Sequence, residues 1–339
     1  MRVLFICYPH VGVTKGGMYI QIQKTAEALQ QCGVEVVFQS PWENQLPDCD
    51  ICHAFSTNEA VYGMMQAAIS AEKPTVWSTV FNVFSRPMWQ LKTQIALSEK
   101  LPGFYTAWKI CRQLSISCSH VIALNDDEKY RLESVFPTMT GKTSIIPNGI
   151  DINFSQGDQV SFRTKFGLSL QDKYVLNVGI MCERKNQLSL IRAAKGKTWK
   201  LVLVGPYDES SYVKQCLHEA ECLNNVIVTG PLPYGSNLLA GAYAGADVFC
   251  LPSFSEVQPL TLIEAAVAGC RLVASNQTPI MQCLKNHVFL CSPNDINGLQ
   301  YNIEKAFKMP VTAREIILQQ PTWKNVGDQI SQIYSQLLK

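Results

Sequence analysis

The sequence contains no run of about 18 apolar residues, so no stretch of it reads as a membrane-spanning helix. It has no block of like charge: 29 Lys and Arg stand against 27 Asp and Glu. A formal charge of +2 makes no field that would draw nucleic acid, and no such partner is expected. Repeats of solenoid period and low-complexity tracts are absent. The first glycine-bearing loop is not a GxGxxG fingerprint, and no acidic residue follows where a nicotinamide ribose would need one, so the loop does not mark a nicotinamide cofactor. Histidine is scarce, with five in 339 residues and none between His53 and His120.

Cysteine is plentiful. Thirteen is an odd count, and most lie inside apolar runs, such as Cys7 in VLFICY and Cys250 in VFCLP. There they read as small buried hydrophobes of a reducing compartment rather than as a disulfide framework. Met1-Arg2 leads straight into VLFIC, too short for a signal peptide, and a cytoplasmic location is expected.

Hydrophobic residues make up 47% of the chain, enough for a sizeable core, and the length suits two domains. Apolar runs of strand length alternate with amphipathic stretches of helix length, the pattern of βαβ units and parallel sheets. VLFICY, VEVVF, DICHAF, PTVWSTVF and HVIALN read as strands of the first half. YVLNVG, WKLVLVG, NVIVTG, DVFCLP and RLVASN restart the rhythm in the second. The fold class expected is α/β, two Rossmann-like domains with parallel sheets facing across a cleft. The expected domains are residues 1–148, joined by a final helix at 322–339, and residues 149–321.

In open α/β sheets, ligands bind beyond the carboxyl ends of strands, near helix N-termini. That rule selects the loop from Leu251 to Glu264. Glu256 follows an apolar strand, Pro259 suits a first helical turn, and Glu264 sits about one turn into the helix. A helix side chain leans towards the N-terminus, so both carboxylates border a place where N–H groups and the helix dipole favour an anion. Carboxylates accept hydrogen bonds from hydroxyls, so the pair suits a ligand bearing both phosphates and sugar hydroxyls. Gly179 opens a second such loop, in which Arg184 and Lys185 can neutralise a diphosphate. Glutamates eight apart are also common on plain surfaces, and an Arg-Lys pair is common at a solvated helix start. A third loop holds Gly16 and Gly17, where backbone can approach a ligand closely.

Taken together these loops resemble family-4 retaining glycosyltransferases of the GT-B fold. The resemblance covers nearly the whole chain. It runs through Gly16-Gly17, the segment Ile146 to Asp151, Gly179 with Arg184-Lys185-Asn186, Leu203 to Gly205, Thr229-Gly230 and the segment Ala246 to Ser253. Its most specific element is E-x7-E, here Glu256 and Glu264. The resemblance implies that Glu256, Arg184 and Lys185 are catalytic. Arg184 and Lys185 would hold the donor diphosphate, and Glu256 would contact the donor sugar and steady positive charge at the anomeric carbon. Glu264 would bind ribose hydroxyls. Gly16, Gly17, Gly179, Gly230, Leu260 and Thr261 would complete the donor site. No metal and no cofactor are implied, the nucleotide sugar being the substrate. The acceptor implied is a glycan or a lipid-linked glycan. His53 and Asn82 are the candidates for the acceptor side, a satisfied structural histidine being an equal reading of His53.

Several positions depart from the family pattern. The segment Trp77 to Asn82 lacks the histidine that relatives carry there. Pro259 removes one N–H donor, Asn276-Gln-Thr-Pro replaces a Gly-Gly, and Ile180 stands where an arginine is frequent. These departures leave a second reading, a non-catalytic nucleotide-sugar binder or partner subunit of the same fold.

Three other signals point elsewhere. Cys49-Asp-Ile-Cys52-His53 matches a haem-attachment pattern, but read as a strand it points the two cysteines apart. Asp48-Cys-Asp50 matches a metal-binding DxD but precedes its strand. Residues 86–112 mix Trp89, Phe104, Tyr105 and Trp108 with Lys92, Lys100, Lys109 and Arg112. They suit a packed helical layer, an acceptor groove or a peripheral membrane contact at the inner membrane face.

Overall fold

The structure is a computed structural model that describes residues 1–14, 16–40, 42, 45–82, 87–101 and 107–339. It divides into two compact units, residues 1–149 with 321–339, and residues 150–320. Each unit is built on a six-stranded parallel sheet.

In the first unit the strands are β1 (Arg2–Ile6), β2 (Glu35–Phe38), β3 (Ile51–Phe55), β4 (Thr75–Ser78), β5 (His120–Ala123) and β6 (Thr143–Ile145). Their order is β2-β1-β3-β4-β5-β6. Side chains alternate across the pleat. Leu4 and Ile6 join a core with Cys52, Ala54 and Trp77 on one face. Phe5 turns to the other face, against Phe55 and His53 at ring distances of 4.8 and 5.4 Å. The helix Trp323–Leu337 packs on the helix Gly17–Gln31. Gly327 permits that approach, since a Cβ there would lie 2.8 Å from the Ala28 backbone.

The second unit holds β7 (Tyr174–Val178), β8 (Lys200–Val204), β9 (Val226–Gly230), β10 (Val248–Leu251), β11 (Arg271–Ser275) and β12 (Val288–Cys291). Their order is β12-β11-β10-β7-β8-β9. Both faces are covered, as parallel sheets require. Leu176, Val202 and Phe249 enter one core, while Val175, Leu201 and Cys250 enter the other. After β9 the chain crosses back to the far side of β7, so β7 and β10 flank the point where strand order reverses. Ligands of such sheets bind there.

The apolar runs overstate some strands. PTVWSTVF yields only Thr75–Ser78, because the following residues are drawn onto Glu128 and Val80 takes φ +44°. Two of the four edge strands, β6 and β12, carry only three and four residues and make no long apolar run. All thirteen cysteines are free thiols. One geometric expectation is corrected here. Cys49 precedes β3 instead of lying in it, so its Sγ comes within 3.6 Å of Cys52 Sγ rather than pointing away. Among the described residues no helix is long and apolar enough to cross a membrane.

Candidate functional site

The loops that leave β7 and β10 are stitched together at the reversal point. Asn177, inside β7, donates its Nδ2 to Cys250 O across the strand pair at 2.8 Å. Asn186 Nδ2 donates to Pro252 O at 3.1 Å and to Pro293 O at 2.8 Å. Arg184 NH1 donates to Ser255 O at 2.7 Å, and Phe254 N donates to Arg184 O at 2.8 Å. Asn186 adopts the left-handed conformation, φ +58°, which asparagine tolerates better than most residues. That turn ends a short 3-10 segment, Glu183–Lys185, just before the helix Gln187–Ala194 begins.

Three sequence-selected side chains meet in this frame. Lys185 Nζ lies 2.7 Å from Glu256 Oε1, and Arg184 NH1 lies 3.1 Å from the same oxygen. Lys185 and Glu256 are buried, while the Arg184 side chain is 41% exposed. Burial pushes the Glu256 carboxyl upward, yet Lys185 and then Arg184 outweigh it and hold the group below the usual carboxylate value. Glu256 is therefore a buried anion at neutral pH. Its 2.7 Å contact with Lys185 is a charge-assisted one.

Glycines shape the strand ends around this pair. Gly179 has φ +154°, and a Cβ there would touch the Lys185 stem at 3.5 Å. Gly205, φ +151°, is required outright, because its Cβ would sit 2.0 Å from Gly179 O. Gly230 ends β9 with φ +73° and accepts the Gly205 N–H at 3.0 Å. The ends of β7, β8 and β9 thus form a continuous backbone ledge.

The helix Leu260–Ala268 begins at Pro259, and its first-turn N–H groups have no partner within the helix. Leu260 and Thr261 supply two of them. Thr261 Oγ1 is buried without a hydrogen-bond partner among the described residues. One turn on, Glu264 is buried and accepts a hydrogen bond from the Tyr243 hydroxyl at 2.6 Å. Burial raises the Glu264 carboxyl to about 7, with the Tyr243 hydrogen bond opposing, Asp151 reinforcing and Lys185 opposing. The two carboxylates have split roles: Glu256 is a paired anion, and Glu264 titrates near neutrality.

The structure brings Glu256, Arg184, Lys185, Gly179, Gly230, Leu260, Thr261 and Glu264 into the second unit. Gly16 and Gly17 belong to the first, at the start of the helix Gly17–Gln31, with open space where a Cβ would stand. No local packing demands glycine at either position. Asn82 is exposed beyond β4 in that unit. His53 is corrected. It is fully buried in β3, its Nδ1 paired with the Tyr334 hydroxyl and its Nε2 with Ser78 Oγ at 2.8 Å. Desolvation, with His120 adding to it, lowers its pKa to about 3. Both ring nitrogens are used, so it offers nothing to an acceptor and serves the core. Phe104 and Tyr105 lie outside the described residues. Trp89 is 67% exposed, whereas Trp108 packs edge-on against Phe81 at 5.7 Å.

Two residues escaped the sequence reading. Glu128 is fully buried and accepts from Thr79 Oγ1, Phe81 N and Leu124 N, which fixes the segment that follows β4. Its only sequence signal is an acidic first turn, which is commonplace. Tyr243 reads as a core aromatic of the helix Asn237–Ala244, and its partner Glu264 is visible only in three dimensions. Among the described residues no group of three or more His, Cys, Asp or Glu is placed to hold a metal ion.

Residues 158–322 match a family model described as glycosyl transferases group 1. An uncharacterized glycosyltransferase of Methanocaldococcus jannaschii is 25% identical over 236 residues, 64% of this chain. The match spans 60% of that relative's length. Sucrose-phosphate synthase from Thermosynechococcus elongatus superposes with a TM-score of 0.78 at 18% identity, covering 99% of each chain. Anabaena HepE, solved with UDP and glucose, gives a TM-score of 0.74 at 18% identity, covering 99% of this chain and 100% of that one. Identities this low establish the fold, which is the GT-B arrangement of two Rossmann-like sheets. The family match lies over the second unit, and the whole chain shares the fold.

Proposed function

We propose that the protein transfers a sugar from a nucleotide-sugar donor to a glycan or lipid-linked acceptor, with retention and without a metal. The observation that carries this reading is Glu256 held between Lys185 and Arg184 at the point of strand reversal, next to a helix N-terminus. A nucleoside diphosphate needs fixed positive charge, free N–H groups and hydroxyl acceptors within one ligand's reach, and these loops supply all three.

In this scheme Arg184 and Lys185 stabilise charge as it builds on the leaving diphosphate. Such stabilisation acts most strongly where water is excluded and the donors are already in place. The first-turn N–H groups of Leu260 and Thr261 add to it. Glu256 stays ionised beside them and offsets positive charge at the anomeric carbon. Glu264 takes the ribose hydroxyls. Retention means that the acceptor enters on the face the nucleotide leaves, so one charged cluster serves both events. The HepE complex with UDP and glucose supports a donor of that class.

The protein should be incubated with UDP- and GDP-sugars and a panel of glycans, and the anomeric configuration of any product read by NMR. Transfer with retention is expected. Absence of nucleotide-sugar binding at millimolar concentration would refute the proposal. Tight donor binding without turnover across the panel would favour the second reading, a non-catalytic binder. The observation favouring that reading is the segment Trp77 to Asn82, which lacks histidine and is tied to Glu128.

A further inference from the structure

Tyr243 is fully buried, and a buried phenol must satisfy its hydroxyl. It does so on Glu264 Oε2, at 2.6 Å. The ring cannot easily leave. Phe154 meets it edge-on at 5.3 Å, and Phe249 lies 5.9 Å away. The Tyr243 carbonyl accepts from Cys270 Sγ at 3.2 Å, and the preceding carbonyl, Ala242 O, accepts from the Tyr174 hydroxyl. Both flanks of the tyrosine are therefore anchored to other elements of the unit. Among the described residues no protein donor reaches Glu264 Oε1. One carboxylate oxygen is clamped and the other is left for a ligand.

We infer that Tyr243 is a positioning residue for donor binding, whose hydroxyl fixes the Glu264 carboxylate so that Oε1 meets the vicinal hydroxyls of a ribose. This rests on the nucleotide-sugar reading above. The ligand class is a nucleoside diphosphate with an intact ribose. A rotating carboxylate would lose part of each hydrogen bond to ordering, whereas a clamped one has already met that cost.

The tyrosine has a second effect. A hydrogen bond to a carboxylate favours its charged form. Glu264 is raised to about 7 by burial, with Asp151 adding to the rise and Tyr243 and Lys185 opposing it. Removing the hydroxyl should move its titration upward and make ribose binding more dependent on pH.

The test is Tyr243→Phe, which keeps the ring and its packing. Binding of whichever of UDP, GDP and ADP the wild type accepts is measured by calorimetry at about pH 7 and about pH 9. The 2′,3′-dideoxy form of the same nucleotide is measured in parallel. A titration moved up by about one unit leaves roughly fivefold less ionised Glu264 at neutrality, so about fivefold weaker binding is expected there. At about pH 9 both carboxylates are ionised, so the part of the deficit due to titration should vanish and the smaller part due to lost positioning should remain. With the dideoxy nucleotide they should agree at both pH values. Equal affinity at both pH values, or a deficit of the same size with the dideoxy form, overturns the inference. A wild type that binds none of these nucleotides, or a Glu264→Gln variant that binds them as tightly as wild type, overturns the donor-site reading instead. Melting curves of the variant check that it folds.

Discussion

Replacing Lys185 by methionine keeps most of the side-chain volume and removes one charge. The lysine is the nearer of two cations on a buried carboxylate, 2.7 Å against 3.1 Å for Arg184. Breaking a buried pair from one side costs about 3–5 kcal/mol, because the remaining charge is stranded. Arg184 persists but is half-exposed, so the lower end, about 3 kcal/mol, is expected near neutral pH. For a unit of this size that is roughly 6–12 °C in melting temperature. The sign of the pH dependence separates charge from packing. In the wild type, the folded pKa of Glu256 lies below its usual value of 4.5, so its ionisation adds stability above that pH, which is lost on acidification. Without Lys185, burial becomes dominant and the folded pKa rises above the unfolded one. Ionisation then costs stability, and the cost grows as pH rises. The deficit of Lys185→Met should therefore be small near about pH 4.5 and full by about pH 7.5. Thermal unfolding of both proteins at the two pH values, followed by near-ultraviolet circular dichroism, measures this directly. A deficit of equal size at both would refute the charge argument. The double variant Lys185→Met with Glu256→Gln should recover a large part of the loss, since no anion is then stranded.

Further expectations concern the rest of the chain. Gly205→Ala should destabilise the second unit by more than about 3 kcal/mol, a loss visible as low soluble yield or early melting, because its Cβ meets Gly179 O at 2.0 Å. Wild-type melting of that variant would refute the close approach. The first unit should lose stability on acidification below about pH 6.5, by up to about 1.4 kcal/mol per pH unit down to about pH 3. The reason is that His53 is neutral when folded and takes a proton when unfolded. His53→Gln should flatten that slope in urea titrations, and an unchanged slope would point to another group. Gly327→Ala should loosen the helix Trp323–Leu337 from the helix Gly17–Gln31, raising hydrogen exchange in both. Unaltered exchange would show that the contact yields at no cost.

Central strands were legible in the sequence because parallel strands are buried on both faces and so read as unbroken apolar runs. Tyr174–Val178 and Lys200–Val204 are such runs. The strands Thr143–Ile145 and Val288–Cys291 were not, since three and four residues make too short a run to stand out. The Glu256, Arg184 and Lys185 cluster was legible because the strand-end rule narrows the search to a few loops. His53 was not, because its role depends on Tyr334 and Ser78, 281 and 25 residues away. Glu128 and Tyr243 fell outside the reading for the same reason. Each satisfies a partner remote in sequence, and a pattern of residue types carries no record of such a pairing.

The helix Trp323–Leu337 belongs to a unit whose first 149 residues are translated before the 171 residues of the second unit. On a ribosome the second unit emerges as one contiguous stretch and can close on itself. The first must wait, with the Ala28 side of its opening helix uncovered and His53 lacking its Tyr334 partner. Domains generally fold in order of synthesis, and exposed apolar surface in that interval invites aggregation. Here the order of synthesis lets the later unit close first, while the earlier one gains its covering helix Trp323–Leu337 only afterwards. Chaperone demand during expression should therefore track the time between these two events, so slowing translation within residues 150–320 should lower yield more than slowing it within the first 149.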